Sequence, residues 1–153
     1  MLKSLHLENF KCFSGRQIDF APLTLLTGVN GSGKSSVIQA LLLLRQSLNE
    51  PGGALNRQDN REASPPKPFS PQLSGMLCNI GLPEDILYSL AGNNRIALSL
   101  HLGDQQYRAS WQVEKNTVLP GDLVSPNPPV LSRMLYLNAE RIAPGPAFPV
   151  PSP

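Results

Sequence analysis

The chain has 153 residues, 41% of them hydrophobic and 16% charged, with a formal net charge of +2. That length suits one domain or part of a larger one, and the weak charge gives no electrostatic case for nucleic-acid binding. The two cysteines, Cys12 and Cys78, are too few for a disulfide framework and have no CxxC or histidine neighbours, so reduced thiols are expected.

In chain order, LKSLHLENF alternates apolar and polar, with Leu5 and Leu7 on one face and Ser4 and His6 on the other, the period of a half-buried strand. A turn at Ser14-Gly15 is expected next, then a second short strand over RQIDF. LTLLT, residues 23–27, reads as a buried strand running into glycines, and residues 34–48 read as a helix. Val37, Leu41, Leu44 and Leu48 would share its apolar stripe, widened by Ile38 and Leu42. Pro51-Gly52-Gly53 stops it.

Residues 49–70 are polar and rich in Gly, Pro, Asn and Arg, and are expected to form an exposed, mobile loop. Residues 82–90 suit a short helix with Pro83 in its first turn and Glu84 and Asp85 at its positive end. Residues 95–102 and 106–113 alternate around Gly103-Asp104, a β-hairpin. Residues 116–129 read as a connector and 133–138 as a last strand. The expected divisions are thus 1–50 (strands, glycine loop, first helix), 51–72 (flexible loop), 73–115 (short helix and hairpin), 116–132 (linker) and 133–153 (strand and proline-rich tail).

Gly28-Val29-Asn30-Gly31-Ser32-Gly33-Lys34-Ser35 matches GxxxxGK[ST], the Walker A pattern, in full. Glycines let successive N–H groups turn inward onto phosphate oxygens, and the following helix aims its positive end at the same charge. Lys34 would reach the β- and γ-phosphates, and Ser35 would set its hydroxyl on Mg²⁺. A plain glycine turn needs neither the lysine nor the serine.

Three features carry a family resemblance: Asn9-Phe10-Lys11-Cys12-Phe13 after the first strand, the F-x-P-L-T-x-L-x-G run at residues 20–28, and Asn30-Gly31 inside the loop. They cover about 50 residues and resemble the opening of ABC-type ATPases of the SMC, RecF and OLD-like group, often called AAA family ATPases. The resemblance implies an α/β fold, the N-terminal half of a P-loop NTPase core, with a small antiparallel β section. It implies ATP and Mg²⁺, with Asn30, Gly31, Ser32, Gly33, Lys34, Ser35 and Ser36 around the phosphates. Lys11 would then lie near the nucleotide, or else be an ordinary exposed lysine at a strand end. YLNAERIAP, residues 136–144, is similar to a strand and turn of the same group, making Arg141 either functional or a loop anchor.

The rest of the catalytic set is not visible. Leu73-Ser74-Gly75-Met76 lacks the second glycine and the glutamine of an LSGGQ signature. Residues 135–140 place Asn138 where a Walker B strand needs Asp. Gln72 is the one candidate for a magnesium-contacting glutamine. No Asn-Lys-x-Asp run reads guanine, and no arginine-rich lid suggests a kinase. The expectation is therefore ATP binding, with hydrolysis dependent on a Walker B and signature from elsewhere, in a homodimer or with a second chain. DNA-repair or anti-phage roles, with DNA or a nuclease as partner, follow from the resemblance alone. A nucleotide-binding module without turnover is the other reading. The opening is too polar for a secretory signal and no apolar run reaches membrane-span length, so a cytoplasmic protein is expected. The chain reads as a fragment, a truncated product, or one half of a two-chain ATPase.

Overall fold

A computed structural model describes residues 1–49, 69–115, 117–124, 131 and 134–136. Five strands form one antiparallel sheet in the order β2-β1-β3-β4-β5: β1 Leu2–Phe10, β2 Phe13–Asp19, β3 Arg95–Leu102, β4 Gln105–Glu114 and β5 Thr117–Val124. The first helix, α1, spans Lys34–Asn49, and a four-residue helix, α2, spans Pro83–Ile86.

The register converts the sequence alternation into one apolar face. Leu5 lies opposite Ile18 on one side and Leu100 on the other, and Leu7 opposite Leu98. Leu98 in turn faces Ala109, Leu100 faces Tyr107, and Ile96 faces Trp111. All of these except Ile18 are buried, and they form one cluster with Val37, Ala40, Leu43, Leu44 and Leu48 of α1. The other face carries Ser4, His6, Glu8, Ser99, His101 and Arg108 at alternating positions. There Ser4 Oγ and His101 Nδ1 are hydrogen-bonded at 2.8 Å, and Arg108 pairs with Glu8 at 2.9 Å.

Several expectations change. The first hairpin closes earlier than expected, through Lys11-Cys12, so Ser14 and Gly15 sit inside β2. Lys11 takes the left-handed backbone, φ 51°, that a two-residue connection requires. On α1, Ala40 and Leu43 are fully buried while Leu41 is only partly so and Ile38 is 39% exposed. The core-facing stripe is thus rotated from the expected one, because the sheet approaches from the Ala40 side.

Residues 23–27 form no strand. Leu23 and Leu25 are 88% and 82% exposed. A strand needs a ladder, and none of the described residues supplies one to this segment. Among the described residues there is no parallel strand pair, so the antiparallel section is the dominant sheet rather than an accessory to an α/β core.

The 116–132 connector contains β5, masked in the sequence by Pro120-Gly121. Proline is tolerated there because β5 is the last strand of the sheet and the register shifts between Ser110 and Gln112. A Cβ on Gly121 would fall 1.8 Å from the Ser110 carbonyl oxygen, so only glycine fits. The expected 82–90 helix stops at Ile86, because Leu87 bridges to Phe10 and the Tyr88 N–H is donated to the Asn9 carbonyl. Phe69, expected in an exposed loop, is buried, exchanges two backbone hydrogen bonds with Gly121 and stacks on Trp111 at 5.7 Å between centroids. Residues 134–136 are not in a strand; 137–138 and Arg141 lie outside the described residues, as does most of the 51–72 stretch.

Core and open positions should answer differently to truncation. Leu98→Ala should cost about 3 kcal/mol, as deletion of a fully buried leucine does. Leu25→Ala should cost under about 0.5 kcal/mol, as for a surface change. Urea unfolding followed by Trp111 fluorescence reads both.

Candidate functional site: a cationic cavity beside the glycine loop

The loop at 28–33 joins the exposed 23–27 segment to α1. Gly33 holds φ +91°, and a Cβ there would lie 2.5 Å from Phe13 Cζ and 2.7 Å from Cys12 Sγ. The hairpin tip of β1 and β2 therefore presses directly on the loop, which no side chain at 33 would permit. Gly33 then accepts the Val37 N–H at 3.0 Å, starting α1. The amides of a helix's first turn have no partner within the helix, and α1 carries no acidic residue there. This end of the helix is electropositive and uncompensated.

Lys34 is folded back over the loop. Its Nζ donates to the Gly28 carbonyl at 2.8 Å and to the Val29 carbonyl at 2.7 Å. The ammonium thus stitches both ends of the loop together and stands at its mouth. Ser36 Oγ lies 3.9 Å from the Cys12 thiol, a second link between the helix start and the hairpin tip.

Between the loop and β2 lies an open cavity of about 570 Å³, within the usual range for small-molecule sites. Cys12, Phe13, Ser14, Gly15, Arg16 and Ile18 form one wall, and Leu25, Leu26, Thr27, Ser32, Gly33, Lys34 and Val37 the other. Among the described residues its charged lining is Arg16 and Lys34, with no carboxylate. Shape and charge together suit an elongated anion.

Of the residues singled out by sequence, Ser32, Gly33 and Lys34 line the cavity. Asn30, Gly31, Ser35 and Ser36 belong to the same loop and first helical turn but not to the lining. Two others lie elsewhere. The backbone N–H of Lys11 is donated to the Ile86 carbonyl, and its Nζ reaches toward the Ile80 carbonyl at 3.5 Å, while its neighbours Cys12 and Phe13 meet the loop. Gln72 gives its N–H to Ser47 Oγ at 2.8 Å, and its carbonyl accepts from Gln46 Nε2. Gln46 follows Lys34 by twelve residues, about 18 Å along the helix. Gln72 is therefore not brought to the loop. The signature-like run at 73–76 is a tight turn, closed by the Ile80 N–H on Leu73 and the Gly75 N–H on Cys78.

Sequence reasoning missed Ser14 and Arg16 as cavity residues. The signal was strand alternation on β2, usable only once the register with β1 is known. Among the described residues no cluster of three or more His, Cys, Asp or Glu side chains could hold a metal, and no helix is long and apolar enough to cross a membrane.

The profile of the AAA domain family matches residues 4–66, which include the glycine loop and α1. An ATP/GTP phosphatase of Helicobacter pylori is 31% identical over 104 residues, covering 67% of this chain and 28% of that protein. The RecF DNA replication and repair protein of a Synechococcus species is 28% identical over 103 residues, covering 65% of this chain and 25% of that protein. An OLD nuclease of Thermus scotoductus is 39% identical over 44 residues, 29% of this chain and 8% of that protein. The chain thus spans little more than a quarter of the length of these relatives at most. It carries the N-terminal part of an AAA-type ATPase of the SMC, RecF and OLD-like group.

The cysteines give a direct probe of the hairpin tip. Cys12 is exposed, whereas burial pushes the Cys78 thiol up, partly countered by the charge of Lys11. A raised pKa leaves less thiolate at any given pH, and thiolate is the nucleophile. Maleimide at pH 7 should label Cys12 first, and Cys78 should gain on it as the pH rises. Peptide mass spectrometry of a labelling time course checks the order.

Proposed function

We propose that the chain binds ATP with Mg²⁺ at the 28–36 loop, as the phosphate-binding part of an ATPase head. The observation that carries this reading is the cavity itself: glycine loop, helix N-terminus and Lys34 along one wall, and no acid among the described residues that line it. Gly28, Gly31 and Gly33 all hold positive φ, a backbone that suits main-chain amides turned toward phosphate oxygens.

In this reading the amides of Asn30, Gly31, Ser32 and Gly33 wrap the β-phosphate. Lys34 exchanges one of its loop carbonyls for the β- and γ-phosphate oxygens. Ser36 lies nearest the α-phosphate. The Ser35 hydroxyl, exposed on the first turn of α1, holds Mg²⁺. The ion supplies charge neutralisation for the triphosphate.

Hydrolysis in this group needs a carboxylate-bearing Walker B strand and a signature from a partner head. No carboxylate lines the cavity among the described residues, which supports a chain that binds without efficient turnover unless those parts are brought to it. The 23–27 segment, with Leu23 and Leu25 exposed and no ladder among the described residues, supports completion of the head by further chain or by a second chain. A homodimer closed by ATP is the form such heads take in the family. A role in DNA repair or phage defence, with DNA or a nuclease as partner and in the cytoplasm, rests on the relatives' names and the family resemblance.

Calorimetry with MgATP tests the reading. Wild-type chain should bind, and Lys34→Ala should weaken binding about 10- to 100-fold, the worth of one or two charge-assisted hydrogen bonds. Gly33→Ala should abolish binding while leaving the sheet's circular dichroism intact. Equal affinity in all three proteins would remove the glycine loop from the site, and turnover well above background would show the catalytic set to be complete.

A further inference from the structure

This inference rests on the nucleotide-binding reading and concerns the far end of the same cavity. Arg16 sits on β2 opposite Leu7, and Ile18 opposite Leu5, so alternation turns Arg16 to the face that carries the cavity. It lines that cavity and is exposed. The other described arginines have partners: Arg45 the Met134 carbonyl, Arg95 Ser110 and Asp122, Arg108 Glu8. Arg16 alone among the described arginines has none.

Its distance from the loop says what it would meet. Phe13, whose ring touches the Gly33 position, marks the phosphate end. The backbone of Arg16 is three residues further along the strand than that of Phe13, about 10 Å by strand rise. That spacing favours the sugar and base over the triphosphate as what Arg16 meets. Among the described residues no Asn, Gln, Asp or Glu lines the cavity to read a base edge. A planar guanidinium needs no such edge, because it stacks on any aromatic face.

We propose that Arg16 is the base-side contact of the site, its guanidinium lying flat against the purine of a bound nucleoside triphosphate. The site then accepts ATP and GTP with similar affinity, because stacking does not distinguish adenine from guanine. Arg16 sets affinity for the nucleoside, while Lys34 and the loop set affinity for the tail.

The test compares ATP, GTP and inorganic tripolyphosphate, each with Mg²⁺, by calorimetry on wild-type chain, Arg16→Ala, Arg16→Lys and Lys34→Ala. Thermal melting checks that the Arg16 variants fold as wild type. Both Arg16 variants should weaken ATP and GTP roughly three- to fivefold and leave tripolyphosphate unchanged, while Lys34→Ala weakens all three ligands. A parallel loss of tripolyphosphate in Arg16→Ala would make Arg16 a phosphate contact and overturn the proposal. Full rescue of ATP by Arg16→Lys, unchanged ATP affinity in Arg16→Ala, or a wide preference between ATP and GTP would overturn it too. Failure of the underlying reading looks different: wild-type chain binds none of the three, or Lys34→Ala leaves tripolyphosphate binding unchanged, and the base contact falls with it.

Discussion

The contact of Gly33 with the tip of the first hairpin is the constraint on which the site depends. The hairpin brings Cys12 and Phe13 to within 2.7 Å and 2.5 Å of where a side chain at 33 would begin. The loop can rest there only because residue 33 is glycine and holds φ +91°. This contact fixes the start of α1 relative to β2, and the space left between them is the cavity. Lys34 closes the arrangement by gripping the Gly28 and Val29 carbonyls, so the loop is held in shape by the chain's own cation.

Behind the site, β1 does the positioning. It is flanked by β2 and β3, so its short apolar face of Leu5 and Leu7 ties the hairpin to the rest of the sheet. α1 lies over that face at its C-terminal end, where Leu44 and Leu48 meet Leu98, Leu100 and Tyr107. The same end anchors the following segment. Gln46, buried in the helix, bonds the backbone of Gln72 and both backbone polar groups of Cys78. One end of α1 therefore faces a cavity and the other organises a loop, and the helix length keeps the two apart.

The likeness to the N-terminal part of RecF and OLD-like ATPases goes with a structure that is open on one side. The exposed leucines at 23 and 25 and the carboxylate-free cavity describe the same boundary from two directions. Apolar side chains alternate along a segment with no ladder among the described residues, and the cavity beside it has cations and no carboxylate among its described lining residues.

The sequence alone determined what depends on local spacing. The glycine loop, the start of α1 at Lys34 and the β3–β4 hairpin were legible because the glycine-lysine pattern, the 3.6-residue period and the alternation around Gly103-Asp104 each act within a few residues. Tertiary structure decided what depends on partners distant in the chain. β5 exists because β4 offers a ladder across a bulge that absorbs Pro120-Gly121; residues 23–27 lack such a ladder and stay open. The family resemblance points to Lys11 and Gln72, but Ile86, and Gln46 with Ser47, hold them elsewhere through contacts that span many residues. Arg16 came into view only with the β1–β2 register, since a one-residue slip would have turned it to the opposite face of the sheet.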